Sequence, residues 1–339
     1  MRMTNIITAI VFAVLILISG SCRKSFIEKP PATKKDVFEY MWKTLDERYT
    51  FFALKNIDWD SVHTVYSPKI TNDMSDKAFF DTLSLMIDVL RDGHSGINSF
   101  FDEHKNVNFF FNSPENFNER LLTDTYFKGY GNRTGAFYHA AICDGKVGYI
   151  YYGSFSYGFT DADFEYILQL YSDADGLIID VRNNFGGQVN NVYKIACHFT
   201  QTRVAVLGSR LKSGPGHHEL TGITTTWLEP SGSYWNKPVC VLTNRKTYSA
   251  GSIFSIVMQE LPNVTVVGDS TGGGLGLPIG SELPNGWQMH YAGSMILSPA
   301  GICHEQGVPP DIETDMNPVA EENGIDSIIE KACDVILGR

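Results

Sequence analysis

Two classes of motif are missing from this chain of 339 residues, and their absence limits the functions it can have. There is no G-x-G-x-x-G motif and no G-K-[ST] loop, so nucleotide binding has no support. No pair of cysteines has the close spacing of a zinc site. Basic residues are also few, because 27 Lys and Arg stand against 38 Asp and Glu, giving a formal net charge of −11. Nucleic-acid binding requires a basic surface, so this charge argues against nucleic acid as a partner.

Long apolar runs are restricted to the start of the chain. Residues 6–18 are apolar, follow a basic start at Arg2, and precede the small residues 19–21 and then Cys22. This arrangement is typical of a secretion signal, and the run is short for a membrane span. The small residues before the cysteine resemble the processing site of bacterial lipoproteins. We therefore predict a signal over residues 1–22, lipid attachment at Cys22 and a periplasmic or outer-membrane-anchored protein, with plain secretion as the alternative.

The other cysteines are predicted to be buried thiols. Six cysteines less Cys22 leave five, and an odd number in an exported protein leaves at least one free thiol. Most of them lie in apolar runs, where cysteine behaves as a small hydrophobic residue. They are Cys143, Cys197, Cys240, Cys303 and Cys333.

The chain divides into a tether, a helical region and a core. Residues 23–35 are polar and contain a Pro-Pro pair, as expected of a tether. Apolar residues at helical spacing over 36–52 and 75–90 predict a mainly helical N-terminal domain that we assign to residues 36–142. The pattern of residues 100–141 fits either strands or a substrate-facing loop.

Residues 143–339 are predicted to form a core of fold class α/β. Short apolar strands alternate there with amphipathic helices, which indicates a largely parallel or mixed sheet. The predicted strands are 146–152, 176–182, 239–242 and 264–267, and the predicted helices are 161–171, 189–199 and 253–261. Ligands bind at the carboxyl ends of strands in such sheets, which directs attention to residues 180–187 and 243–249.

Ser249 lies where a buried strand gives way to a helix. A hydroxyl there would sit beside free backbone N–H groups and the positive end of the helix dipole, where an oxyanion could be held. Ser249 is therefore a candidate nucleophile. The alternative is a helix N-cap, for which serine is a preferred residue.

Gly186 and Gly187 end the motif Asp-Val-Arg-Asn-Asn-Phe-Gly-Gly between a strand and a helix. Paired glycines allow the backbone to approach a ligand closely and to present an N–H group at a helix start. A tight turn that requires positive φ is the alternative.

His94 lies in a Gly-flanked turn just past a predicted helix, in Leu-Arg-Asp-Gly-His-Ser. A neutral imidazole there could accept the serine proton as a general base, or it could pack in a core. Near the C-terminus, Glu305 precedes the extended segment Gly-Val-Pro-Pro-Asp-Ile and could orient that base or be solvated.

Together these pieces, in this order, resemble the tail-specific or carboxyl-terminal-processing serine peptidases over about residues 86–315. Relatives of that family are the tricorn protease core and the interphotoreceptor retinoid-binding protein repeats. The resemblance is carried by Leu-Arg-Asp-Gly-His94, Lys-Val-Gly-Tyr-Ile150, Ile-Asp-Val-Arg-Asn-Asn-Phe-Gly-Gly187, Thr-Tyr-Ser249-Ala-Gly, Val-Val-Gly-Asp-Ser-Thr-Gly-Gly-Gly274 and Gly-Val-Pro-Pro-Asp-Ile312. It implies a crotonase- or Clp-like core with a small helical N-terminal domain.

The resemblance also discriminates between two catalytic forms of the family. Processing peptidases use a lysine in Thr-Phe-Gly-Lys-Gly, whereas this chain has Gly274 at that place, so the Ser–Lys dyad is absent. The tricorn-like form takes its base from a histidine, which matches His94. Processing peptidases also carry a PDZ domain of about a hundred residues, and residues 97–144 are too few for one.

By this resemblance Ser249 is the nucleophile, and His94 is the general base and acid. The N–H groups of Ala250 and of Gly186 or Gly187 would form the oxyanion hole. Glu305 would be the third member, although ungapped matching puts His304 at the family's glutamate position and Glu305 one place later. Lys246, three residues before the nucleophile, is an alternative base without a family precedent.

These inferences predict an exported serine endopeptidase that cleaves peptides or unfolded protein segments through an acyl-enzyme, without a metal or organic cofactor. A membrane would be contacted only through the lipid anchor. The alternatives are a non-catalytic binding protein on the same scaffold, with a peptide or apolar small-molecule ligand, and an acyl-CoA enzyme of the crotonase type. The basic residues that a nucleotide tail would require are not apparent in the sequence.

Overall fold

A computed structural model describes residues 32–107, 113–129 and 131–339. The predicted signal, Cys22 and most of the tether lie outside these described residues. No helix in the described part of the chain is long and apolar enough to cross a membrane. The helices are α1 (Lys34–Arg48), α2 (Phe52–Lys55), α3 (Trp59–Tyr66), α4 (Asp76–Asp88), α5 (Glu119–Leu121), α6 (Asp161–Leu170), α7 (Val189–Ala196), α8 (Ala250–Gln259), α9 (Pro318–Glu322) and α10 (Ser327–Leu337).

Fourteen strands form three sheets within the described residues. They are β1 (Gly96–Asn98), β2 (Glu103–Lys105), β3 (Asn132–Thr134), β4 (Phe137–Ile142), β5 (Val147–Tyr151), β6 (Gly176–Asp180), β7 (Val204–Leu211), β8 (Thr224–Leu228), β9 (Val239–Thr243), β10 (Val264–Gly268), β11 (Pro278–Glu282), β12 (Gln288–Ala292), β13 (Ser294–Leu297) and β14 (Ile312–Glu313). The sheet orders are β14-β10-β9-β6-β5-β4-β3, β11-β12-β1-β2 and β13-β7-β8.

The seven-stranded sheet is the centre of the core, and it confirms the predicted α/β class. Strands β5, β6, β9 and β10 run parallel, whereas β3 and β4 add an antiparallel edge. Side chains of β9 alternate between two hydrophobic clusters: Val241 packs with the helices α6, α7 and α8, and Leu242 packs with α10. Because both faces are covered, β6 and β9 are buried along their whole length, as parallel strands with helices on each face require.

Parallel pairing determines where the loops of the core meet. Asp180 at the end of β6 is paired with Leu242 near the end of β9, so both strands finish at the same edge. The loops that follow them are therefore neighbours, and each leads into a helix, α7 or α8.

Three of the four helices that the structure describes before β1 begin at side-chain caps, and α2 does not. Thr33 forms a capping box with Asp36 at α1, while Asp58 and Ser75 cap α3 and α4. Such caps satisfy N–H groups that have no partner inside the helix. The apolar faces of these helices pack on Trp287 and neighbouring residues of β12 and β13, so the helical region shares its hydrophobic cluster with the C-terminal half of the chain.

The predicted boundary between residues 142 and 143 differs from the structure, because it falls inside a hairpin. β4 pairs antiparallel with β5, with Tyr138 opposite Tyr151, and thereby joins the core sheet. Residues 143–146 form the turn, and Cys143, Asp144 and Gly145 have positive φ. An Asp-Gly pair between two apolar runs is a strong hairpin signal, which explains why residues 132–142 belong to the core.

We expect the substitution Arg182→Leu to destabilise the core strongly. Arg182 is fully buried and pairs with Asp180 at 2.6 Å and Asp326 at 2.8 Å. Removing one member of a buried ion cluster leaves unpaired charge and costs about 3–5 kcal/mol, which urea unfolding would measure. Arg203→Leu, at a surface pair with Glu229, is the matched control and should cost less than about 1 kcal/mol. Equal losses for both variants would contradict this account.

Candidate active site

Ser249 is presented at a strained backbone position between β9 and α8. Its φ of 55° and ψ of −117° are rare for a residue with a side chain, and such strain persists only where the surroundings enforce it. The Ser249 N–H donates to the Gly273 carbonyl at 2.9 Å, and the Ser249 carbonyl accepts from Ile253 N–H at 2.9 Å. Its side chain makes no capping hydrogen bond to α8. The hydroxyl is therefore not used as a helix cap.

The loops after β6 and β9 hold each other in place. Asn244 Oδ1 accepts from the Asn183 N–H at 2.9 Å, and the Tyr248 N–H donates to the Asn184 carbonyl at 2.9 Å. Asn184 is fully buried, and its Oδ1 accepts from the Gly186 N–H at 2.9 Å. No strand in the described residues accepts from the Asn183 and Gly186 N–H groups, so the side-chain amides of the asparagines do so. These bonds position the turn of Gly186 and Gly187 against Ser249.

His94 reaches the serine from the N-terminal part of the chain. Its Nε2 lies 3.1 Å from Ser249 Oγ, although the two residues are 155 positions apart. The turn that carries the ring is fixed by Asp92, whose Oδ1 accepts from the His94 N–H at 2.8 Å. The ring lies beside that of Tyr248, with centroids 5.1 Å apart and the planes tilted by 57°. The structure thus brings the candidate base and nucleophile within hydrogen-bonding distance.

Burial makes the imidazole a base rather than a cation. Desolvation lowers the pKa of His94 from 6.5, and the nearby Lys55 charge acts in the same direction. Asp92 and the Gly276 backbone raise the pKa, which limits the shift. A ring that is neutral at pH 7 can accept the serine proton.

Gly186 and Gly187 have φ of 96° and 139°, both in the region that favours glycine. A Cβ on Gly186 would stand 2.8 Å from Ser249 Cβ and 2.9 Å from the Ala250 nitrogen. The Gly186 N–H is already bonded to Asn184. In the described part of the chain, neither the Gly187 N–H nor the Ala250 N–H has an acceptor. Of the predicted oxyanion donors, these two N–H groups are therefore the ones without a hydrogen bond in the described residues.

Glu305 lies close to the site but not on the imidazole. Its Oε1 accepts from Lys55 Nζ at 3.1 Å and its Oε2 from the Leu275 N–H at 2.7 Å. No hydrogen bond joins it to His94 within the described ranges. Burial, followed by the Asp92 charge, raises the pKa of Glu305, while Lys55 and Leu275 oppose the rise. His304, at the family's glutamate position, is half-buried, and burial lowers its pKa.

Lys246, the alternative base, forms an ion pair with Glu115. Its Nζ lies 2.6 Å from Glu115 Oε2. Two residues that sequence reasoning missed are Asp92 and Lys55. Asp92 belongs to the same Arg-Asp-Gly-His motif and could have been recognised as a turn residue, whereas Lys55 carries no local signal.

The model of peptidase family S41 matches residues 146–314, and the model of the tricorn protease C1 domain matches residues 30–88. The protein therefore belongs to peptidase family S41. The crystal structure of a candidate peptidase from Parabacteroides merdae is 36% identical, with a TM-score of 0.87 over 90% of this chain and 97% of the other.

More distant structures share the fold. Mature CPAF is 14% identical, with a TM-score of 0.69 over 89% of this chain and 96% of the other. The photosystem II D1 C-terminal processing protease is 15% identical, with a TM-score of 0.53 over 84% and 94%. These matches confirm the predicted resemblance to tail-specific proteases. Among the described residues, no group of three His, Cys, Asp or Glu side chains is arranged to hold a metal ion.

We expect Gly186→Ala to impair the site while the fold survives. The added Cβ would press on Ser249 and on the Ala250 nitrogen, and a displacement of about 1 Å costs roughly a hundredfold in rate. The measurement is the rate at which a fluorophosphonate probe reacts with the protein. Gly158→Ala is the control, because its Cβ would meet nothing within 4 Å. Unchanged reactivity in Gly186→Ala would show that the turn does not position the serine.

Proposed function

We propose that this S41 peptidase is an exported serine endopeptidase that cleaves peptides or unfolded protein segments. The observation that carries the proposal is the 3.1 Å contact between His94 Nε2 and Ser249 Oγ. A serine hydroxyl is a weak nucleophile by itself, and an adjacent base within hydrogen-bonding distance activates it. Membership of a peptidase family makes a peptide bond the expected target.

The proposed reaction begins with proton transfer from Ser249 to His94 as the serine oxygen attacks the peptide carbonyl. Negative charge on the carbonyl oxygen is stabilised by the N–H groups of Gly187 and Ala250, and one such donor supplies about two to three orders of magnitude in rate. His94 then gives the proton to the departing amine, leaving an ester on Ser249. Water, activated by the same imidazole, hydrolyses that ester.

Glu305 is proposed as the third member, in a supporting role. It binds the Leu275 N–H, and its own carbonyl accepts from the Gly274 N–H at 3.3 Å. The adjacent Gly273 carbonyl holds the Ser249 N–H. Glu305 therefore supports the segment that positions the nucleophile rather than the imidazole.

Export and lipid attachment at Cys22 are proposed from the N-terminal sequence. Basic, apolar and small residues follow one another there in the order of a secretion signal. A periplasmic or outer-membrane anchor would place the protein among exported polypeptides, which suits a substrate that is an unfolded segment.

A fluorophosphonate probe should label the protein at Ser249, and Ser249→Ala should abolish the labelling. The reason is that the probe forms a covalent bond only with an activated hydroxyl. His94→Ala should slow labelling by about two to four orders of magnitude. Intact-mass measurement and peptide mapping identify the modified residue, and circular dichroism checks that each variant is folded. Equal labelling of Ser249→Ala would refute the assignment of the nucleophile.

The labelling rate should increase with pH and be half-maximal below pH 6.5. Only neutral His94 accepts the proton, and burial holds its pKa below the ordinary 6.5, so the base is still functional in mild acid. Rates measured between pH 4.5 and pH 9 (roughly two units on each side of an ordinary histidine pKa) test this. A midpoint above pH 6.5 would contradict the role assigned to burial.

A further inference from the structure

Lys55 makes three hydrogen bonds from one buried ammonium group. It ends the short helix α2, and its side chain is 2% exposed. Its Nζ donates to the Leu90 carbonyl at 3.3 Å, the Arg91 carbonyl at 3.0 Å and Glu305 Oε1 at 3.1 Å. An ammonium group has three donors, so every donor is used.

Two of these bonds fix the segment that carries His94. The Leu90 and Arg91 carbonyls follow the end of α4 and come immediately before the turn of Asp92 and His94. Both carbonyls lie beyond the last residue of α4, and a buried carbonyl requires a hydrogen-bond donor, which Lys55 supplies to each. Arg91 has a positive φ of 47°, and its Nη2 donates back to the Lys55 carbonyl at 3.4 Å. The turn is thus tied to α2.

The third bond leads to the segment that carries Ser249. Glu305 binds Lys55 through one oxygen and the Leu275 N–H through the other. Two residues earlier in the chain, the Gly273 carbonyl accepts the Ser249 N–H. A short path of contacts therefore leads from the lysine to the nucleophile, as a second path leads to the base.

We propose that Lys55 is a positioning residue that holds His94 and Ser249 at the distance needed for proton transfer. Its ammonium group is where both paths meet, so its removal would free the two segments to move apart. This inference rests on the proposed serine mechanism. A displacement of about 1 Å between reacting groups is enough to cost roughly a hundredfold in rate.

A cavity beside Lys55 makes a chemical rescue experiment possible. It has a volume of about 230 Å³ and is lined by Lys55, Arg91, Arg245, Glu305 and Gln306. Because Arg91 and Gln306 are exposed, the cavity opens to solvent. In Lys55→Ala, the space of the lost side chain would join this cavity and could admit a small amine.

The experiment measures fluorophosphonate labelling of Lys55→Ala over a range of probe concentrations. We expect the maximal labelling rate to fall about a hundredfold, with little change in the concentration that gives half of it. Added ethylammonium chloride should raise the labelling rate of Lys55→Ala at least tenfold, and this rate should reach a plateau as the amine concentration increases. Sodium chloride at equal ionic strength should not raise the rate. Lys34→Ala, which removes a pair with Asp76 in the same helical region, is the matched control and should react like the wild type.

The outcomes separate this inference from the proposed function. If the wild type is not labelled at Ser249, the serine mechanism itself fails. If the wild type is labelled and Lys55→Ala reacts at the same rate, or if ethylammonium gives no recovery, the positioning role is overturned.

Lys55→Ala leaves Glu305 buried without its cation, and a second pair of variants is used if Lys55→Ala does not fold. Lys55→Ala/Glu305→Gln is then compared with Glu305→Gln, in which Lys55 still has the Leu90 and Arg91 carbonyls as acceptors. We expect the double variant to react at least about tenfold more slowly than the single one, because the His94 turn has lost its tie. Equal rates in the two folded variants would overturn the proposal.

Discussion

The hydrogen bond between His94 and Ser249 depends on the parallel alignment of β6 and β9. These strands end at one edge of the sheet, so the turn at Gly186 and the turn at Ser249 lie side by side. Hydrophobic burial on both faces of the sheet maintains that alignment, because a shift of one residue would exchange the side chains facing α8 with those facing α10. The core thus fixes the position of the Ser249 hydroxyl, and the His94 imidazole, which belongs to another part of the chain, contacts it there.

Backbone hydrogen bonds hold Ser249 in place and leave its hydroxyl available for other contacts. Its strained φ is balanced by backbone bonds to Gly273 and Ile253, while Gly186 provides room that any Cβ would fill. A relaxed serine at a helix start would turn its hydroxyl to the N–H groups of the first turn. Here the backbone conformation prevents this, and the hydroxyl contacts His94 instead. Strain at Ser249 therefore converts a common helix cap into a group available for chemistry.

Sequence patterns predicted the parts of this structure that are governed by local or periodic signals. The buried strands around Val241 and the helix after Ser249 follow from apolar periodicity, and the fold class from their alternation. The Asp-Gly turn at Asp144 carried a signal that the assigned domain boundary overlooked. The contact of Glu305 with Lys55 could not be predicted, because the residues are 250 positions apart and nothing near Lys55 distinguishes it from a solvated lysine. Only the assembled fold shows which buried cation faces which carboxylate.

Two buried ion clusters join segments that are distant in sequence, and stability alone does not explain them. A buried ion pair is often no more stabilising than apolar residues of similar volume, since desolvation offsets the attraction. Charged groups that form hydrogen bonds fix the relative positions of the segments they join, because each hydrogen bond requires a particular distance and angle. Arg182 joins β6 to Asp326 at the start of α10, and Lys55 joins the His94 turn to Glu305. Both clusters connect chain segments that are remote in sequence, so we infer that their value lies in fixing geometry that apolar packing would leave less well defined.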